Sequence, residues 1–273
     1  MKKIIMSILI LALTLSAQSL KTLHEKSFDV QPNQLLELET DIGDIKVRTW
    51  EKDEVFIKVY GNDKAEDKVR FTFKETSNGV LVEAEMKSGW NWFSNPRLRY
   101  EIDLPKNFNV DISTAGGDVL LGDLKGEISL RTSGGDLEII NTVGKVYAKT
   151  SGGDVKVRNA SGDLELGTSG GDVKIESSDG SVYAKTSGGD IDLEYRGENY
   201  GIELGTSGGD IMVYIPSEFK ADVYLRTSGG DIKTNMEAKI QEVSDDKFIG
   251  QMNGGGNELN CRTSGGDIIV KMN

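Results

Sequence analysis

The sequence predicts an all-β fold, a single-stranded β-helix or solenoid with about 18 residues per coil and a strand-rich N-terminal cap. Three observations lead there. The motif Thr-Ser-Gly-Gly-Asp, with Ala115 in place of Ser in its first copy, recurs with aspartates at Asp118, Asp136, Asp154, Asp172 and Asp190, a strict 18-residue spacing. Asp210, Asp231 and Asp267 follow at 20, 21 and 36 residues. Each unit holds two runs in which apolar and polar residues alternate, the period of a strand with one buried face. No long helical period occurs anywhere; Ala65 to Lys68 is one turn at most.

Taken along the chain, residues 1–19 read as a signal peptide. Lys2-Lys3 is followed by an apolar run from Ile4 to Ala17 and by small residues, with cleavage after Ser19 or, alternatively, after Ala17. The run is too short for a membrane span, and no later run is long enough. The absence of a cysteine near the cut excludes a lipid anchor there. The mature chain is expected to be exported, periplasmic or at the cell surface.

Residues 20–112 form the strand-rich cap. Its runs are Gln34 to Thr40, Asp44 to Trp50, Val55 to Tyr60, Val69 to Lys74, Val80 to Glu85, Leu98 to Leu104 and Phe108 to Ile112. Thr76-Ser77-Asn78-Gly79 is a hairpin signal. A cap suppresses end-to-end strand pairing.

Residues 113–273 carry the repeats. After each motif the inward residues are Val119/Leu121, Leu137/Ile139, Val155/Val157, Val173/Ile175, Ile191/Leu193 and Ile211/Val213/Ile215. Half a period later they are Ile128/Leu130, Val146/Ala148, Leu164/Leu166, Val182/Ala184, Ile202/Leu204 and Val223/Leu225. Two strands and two turns fit one flattened coil, stacked at roughly 4.8 Å. A lone coil cannot bury its apolar face, so the core exists only through stacking. Residues 234–257 break the rhythm, and Met236 to Phe248 is expected to be a charged loop bulging from one coil.

The glycines are expected to supply positive φ at the turns, and the aspartates to accept backbone N–H groups. Thr and Ser are expected to bond to their equivalents on the next coil. A ladder of Asp118, Asp136, Asp154, Asp172, Asp190, Asp210, Asp231 and Asp267 also suggests a row of calcium sites. The Gly-x-Gly-x-Asp order of calcium-binding β-rolls is absent, however, so turn architecture is favoured and no cofactor is expected.

Composition narrows the function. The formal net charge is −12, which argues against nucleic acid and anionic membranes as partners. Cys261 is the single cysteine, so no disulfide forms within the chain, and alternation points it inward. His24, next to the signal region, is the single histidine, which argues against a Ser-His-Asp or Cys-His arrangement and excludes histidine-based metal sites. A glycosidase needs two carboxylates at a controlled separation, whereas the aspartate ladder repeats one environment and sets no carboxylate apart.

Several segments together resemble the bacterial putative adhesin family, a β-strand-repeat domain of unknown function. They are Gly43-Asp44-Ile45-Lys46-Val47 with Trp50, Ile102-Asp103-Leu104-Pro105 leading into Asn109-Val110-Asp111-Ile112, the motif series, and Gly250-Gln251-Met252-Asn253-Gly254-Gly255-Gly256-Asn257. The resemblance covers roughly residues 27–273. It implies a right-handed β-helix and an envelope location, and little chemistry.

Two surfaces are candidates for binding. Trp90, Trp92 and Phe93 gather on a Gly/Asn/Pro loop, where aromatic rings stack on sugars or fold back over the core. The second is an outward row reading Ser129, Tyr147, Glu165, Tyr183, Glu203, Tyr224 and Asn260. Across the middle coils its tyrosines travel with Lys or Arg two residues on, and its glutamates with Gly. That row either binds an acidic glycan or protein, or packs coils in alternation. The reading is an exported, non-enzymatic scaffold for adhesion or envelope binding, with an envelope protein or glycan as partner. A carbohydrate-active enzyme and a calcium-stabilised surface protein are the alternatives.

Overall fold

The computed structural model describes residues 20–87 and 95–273. The predicted signal peptide lies outside the described residues. The N-terminal strands are β1 (Lys21–Asp29), β2 (Leu35–Thr40), β3 (Asp44–Trp50), β4 (Glu54–Gly61), β5 (Val69–Thr76), β6 (Gly79–Met86), β7 (Leu98–Pro105) and β8 (Asn109–Thr114). The strands following the motifs are β9 (Val119–Gly122), β11 (Leu137–Val143), β13 (Val155–Ser161), β15 (Val173–Ser178), β17 (Ile191–Arg196) and β19 (Ile211–Ile215). They alternate with half-period strands β10 (Ile128–Thr132), β12 (Val146–Lys149), β14 (Leu164–Gly167), β16 (Val182–Lys185), β18 (Ile202–Gly205) and β20 (Ala221–Arg226). The chain ends in β21 (Ile232–Thr234), β22 (Ala238–Ser244), β23 (Lys247–Met252), β24 (Glu258–Arg262) and β25 (Ile268–Met272).

These strands form two long, largely parallel sheets in a solenoid-like stack. The first runs β1-β4-β7-β3-β9-β11-β13-β15-β17-β19-β25-β21. The second runs β22-β23-β20-β24-β18-β16-β14-β12-β10-β8-β2-β6-β5. Equivalent residues of successive repeats are register partners, as in Leu137 with Val155, Val155 with Val173, and Val146 with Leu164. Every inward residue expected from the alternation, from Val119 to Leu225, is buried, with at most 2% of its surface exposed. Burying one such valine or leucine contributes about 1.5–3 kcal/mol. The stack therefore supplies the stability that disulfides cannot.

At the N-terminal end both sheets finish in antiparallel pairs, β1 on β4 and β5 on β6. His24 of β1 reaches across to β5, with ring centroids 4.6 Å from Phe71 and 5.4 Å from Phe73. Burial against those rings, and then the charge of Lys26, lowers its pKa. The helix α1 (Asp63–Lys68) begins two residues earlier than the sequence suggested. Asn62 is the reason: its side chain accepts the Ala65 N–H at 2.9 Å as an N-cap.

The C-terminal end departs from the sequence reading twice. Met236 to Phe248 is not a bulging loop: β22 and β23 pair as an antiparallel hairpin that extends the second sheet from β20. The last coil, β24–β25, does not follow β20–β21 in space. It lies between β18–β19 and β20–β21, pairing in parallel with both sides. Repeat order in sequence and coil order in space therefore part company after Asp210.

Candidate functional site

The aspartate ladder is a set of intercoil hydrogen bonds. Each Asp Oδ1 accepts the backbone N–H of the aspartate on the next coil, at 2.7–3.2 Å, in the order Asp44, Asp118, Asp136, Asp154, Asp172, Asp190, Asp210, Asp267, Asp231. Bonds of this kind, from a backbone N–H to a carboxylate, are charge-assisted and stronger than neutral ones. The Asp172 N–H, and then Lys156, lower the Asp154 pKa; Lys233 and the Asp231 N–H do the same for Asp267. The second oxygens of these two face lysine, at 3.2 Å (Lys156) and 2.7 Å (Lys233).

Two expectations about the motif change. Thr Oγ1 does not bond to the next threonine. It donates to the Gly carbonyl of the preceding coil, as in Thr150 to Gly135 and Thr168 to Gly153 at 2.9 and 2.8 Å, and accepts an N–H from its own turn. Nor do the motif glycines generally need positive φ; among them only Gly117 has it, at 126°. The second glycine is required by close approach: a Cβ on Gly153 would lie 2.1 Å from the Gly135 carbonyl oxygen. Left-handed backbone is concentrated instead at the half-period turns, in Gly144, Gly162, Asn141 and Asn159.

The tyrosine row lies on the outer face of the second sheet. Lys149 Nζ is 4.5 Å from the Tyr147 ring centroid, and Arg131 is 4.8 Å from the same ring. Lys185 Nζ lies 4.4 Å from the Tyr183 ring. Both lysines reach forward one coil, Lys149 to Glu165 at 2.9 Å and Lys185 to Glu203 at 3.0 Å. Their stems cross Gly167 and Gly205, where a Cβ would meet lysine carbons at 3.5 Å. The Glu165 carboxylate raises the Lys149 pKa; the Tyr183 hydroxyl and then Glu203 raise that of Lys185. This geometry explains why Tyr travels with Lys and Glu with Gly. Tyr224 is 39% exposed and stands further off, because Asn260 of the inserted coil separates it from Glu203.

A groove of about 460 Å³ runs beside this row, lined by Asn78, Asp111, Ser129, Arg131, Lys145 and Tyr147 among others. Buried at its wall, Ser129 Oγ has no hydrogen-bond partner. A second depression of about 480 Å³ carries on to Lys149, Ser181 and Tyr183. Trp90, Trp92 and Phe93 lie outside the described residues.

Sequence reasoning missed a third place. The turns at Gly197–Tyr200 and Glu218–Lys220 and the segment Gly255–Asn257 meet around a depression of about 760 Å³. Tyr200 is 53% exposed there, and Asn199 Nδ2 ties the turns together through the Lys220 and Asn257 carbonyls at 3.0 and 2.6 Å. The spacings of 20, 21 and 36 residues were the available signal, since extra residues must leave the coil at a turn. One carboxylate outside the ladder is set apart by its surroundings. Burial, opposed by Lys174 and reinforced by Asp190 and Asp172, raises the pKa of Asp192.

The fold and its ladders define a repeat-built β protein, and the Toastrack DUF4097 family model matches residues 33–271. The chain belongs to that family, a domain of unknown function in bacterial proteins. No curated protein matches it significantly. Among solved structures it is similar to a putative adhesin from Parabacteroides distasonis, at 11% identity, 93% of this chain, 98% of that one and a TM-score of 0.46. A putative adhesin from Parabacteroides merdae matches at 11% identity, 91% and 95% coverage and 0.44. A putative lipid binding protein from Parabacteroides distasonis matches at 13%, 91%, 96% and 0.41. Among the described residues, no helix is long and apolar enough to cross a membrane.

Proposed function

We propose that this chain is an exported, non-enzymatic scaffold of the cell envelope, built of right-handed 18-residue coils, that binds an envelope glycan or protein on the outer face of its second sheet. The carrying observation is the tyrosine row. Tyr147 and Tyr183 each hold a cation within 4.4–4.8 Å of the ring, beside grooves that also present Arg131, Lys145, Asp111 and Glu165. Aromatic faces with alternating cations and carboxylates suit a polar, partly anionic polymer running along the stack. The non-enzymatic reading is supported by the use of the ladder carboxylates as acceptors of backbone N–H groups. Asp192, whose pKa is raised, lines none of the depressions described above. Calcium is disfavoured because one oxygen of each carboxylate from Asp44 to Asp267 along the ladder already accepts a backbone N–H, and the second oxygens of Asp154 and Asp267 face lysines.

Binding of the mature protein to glycan arrays and envelope fractions tests this. Tyr147→Ala with Tyr183→Ala should lower affinity at least about tenfold, the equivalent of roughly 1.4 kcal/mol. Unchanged binding by that variant refutes the face. Trp90→Ala, Trp92→Ala and Phe93→Ala together, run alongside, test the aromatic loop as the alternative surface. Polysaccharide cleavage that is lost in Asp192→Asn would establish the enzyme reading instead.

The corner depression supports a second reading. There Tyr200 is exposed beside Asp179, Glu198 and Glu218, on the irregular turns where a repeat protein holds its unique features. Tyr200→Ala separates it from the tyrosine row in the same assays.

A further inference from the structure

The slot that holds the last coil has features of an exchangeable site. By sequence, β18–β19 and β20–β21 are consecutive coils, yet in space β24–β25 stands between them. Leu259 pairs with Ile202 on one side and with Val223 on the other. The same contacts recur at both walls. Thr263 Oγ1 donates to the Gly209 carbonyl and Thr227 Oγ1 to the Gly266 carbonyl, each at 2.8 Å. The Asp267 N–H donates to Asp210, and the Asp231 N–H to Asp267, at 2.7 and 2.9 Å. These are the generic bonds of the repeat, so nothing in either wall distinguishes one copy's coil from another's.

The connection into the slot is also suited to exchange. From β23, on one side of β20, the chain crosses to β24 on the other through Asn253 to Asn257. Asn253, Gly254 and Gly255 take φ of 48°, 90° and 83° in succession. A short, glycine-rich hinge before an element that packs through contacts identical in every copy is the setting for domain swapping. A swapped coil makes all the contacts of the resident one and gives up only its tethering.

We propose that the slot between β18–β19 and β20–β21 is a strand-docking site, filled here by the chain's own C-terminal coil and open to the same coil of a second copy. Copies then join through exchanged coils, which gives the scaffold a route to assembly at the envelope.

Cys261 is the probe. It is fully buried in the inserted strand, and its register partners are Leu225 in β20 and Leu204 in β18. Neighbouring parallel strands lie about 4.8 Å apart, within the Cα range of a disulfide. The experiment mixes two full mature chains, one carrying Leu225→Cys with Cys261→Ser and the other unaltered. The mixture is warmed below its unfolding transition and then oxidised with copper phenanthroline. A disulfide-linked pair of chains, absent from either protein alone, is the expected result. A chain with Leu225→Cys that retains Cys261 should, when dilute, close its bridge internally and so establish the geometry. If that internal bridge forms but linked pairs never appear as concentration rises, the exchange proposal is overturned. Should Leu225→Cys not fold, Leu204→Cys places the same test on the opposite wall.

Discussion

Replacing Gly153 with alanine tests whether close approach, and not backbone freedom, explains the second glycine of the motif. The new Cβ would stand 2.1 Å from the Gly135 carbonyl oxygen, 2.5 Å from its carbon and 2.6 Å from Asp136 Oδ1. The obstacle is main chain, which cannot swing aside, so the coils must part by roughly 1 Å to reach ordinary contact. That parting stretches two bonds, the Asp154 N–H to Asp136 at 2.8 Å and Thr150 Oγ1 to Gly135 at 2.9 Å. Overpacking costs about 1–3 kcal/mol, and each weakened bond about 1 kcal/mol. Together they amount to roughly 3–5 kcal/mol, or a fall in Tm of about 6–20 °C for a chain of this size. Gly152 is the internal control. Its added Cβ would find nothing nearer than 3.5 Å, so Gly152→Ala should stay within about 0.5 kcal/mol. Thermal unfolding followed by far-UV circular dichroism reads both variants. Equal Tm values for the two would refute the close-approach argument.

Further expectations follow from the same geometry. Val157→Asp places a charge where no surface is exposed and should cost several kcal/mol in urea unfolding, whereas Lys156→Asp, which loses only an exposed pair with Asp154, should cost about 1 kcal/mol or less. Thr168→Val removes the bridge from Gly153 to Gly171 and should cost about 1–3 kcal/mol, with no change in the strand content seen by circular dichroism. Asp154 and Asp163 have folded pKa values below 3.8, so their contribution is complete above that value and is lost as pH falls through the folded pKa; Tm should decline in acid below about pH 4. His24 has a folded pKa below 6.5, so the unfolded chain binds the extra proton. Stability should therefore fall as pH drops through 6.5, and His24→Phe should remove that portion of the pH dependence. Chelator should leave Tm unchanged, since the ladder carboxylates serve backbone N–H groups; a fall on adding chelator would restore the calcium reading.

What was legible in the sequence was whatever repeats. Alternation identified the buried face of each coil, because a period of two leaves one choice of inward set once a neighbour is stacked. The aspartates could be read as acceptors because their spacing matched the coil. The position of β24–β25 could not be read. Its motif is identical to those it joins, and identical contacts leave spatial order to be decided by the β22–β23 hairpin and its turn. The reason for the glycines was misjudged for a related cause: sequence shows that a side chain is missing, not whether a dihedral or a neighbouring carbonyl excludes it. Tyr200 was missed because one tyrosine in a turn carries no period at all. The corner it occupies is formed only when three irregular turns stack.

The lysine stems that lie across Gly167 and Gly205 have a consequence for how such a gene changes length. Loss of the unit carrying Glu165 and Gly167 would set the two tyrosine–lysine strands side by side, with Lys149 beside Lys185 and no glutamate ahead of it. Loss or duplication of two units restores the alternation. A pair of sequence repeats, 36 residues, is therefore the unit whose loss or gain keeps the tyrosine–lysine alternation, about 9.6 Å along the stack at twice the strand spacing.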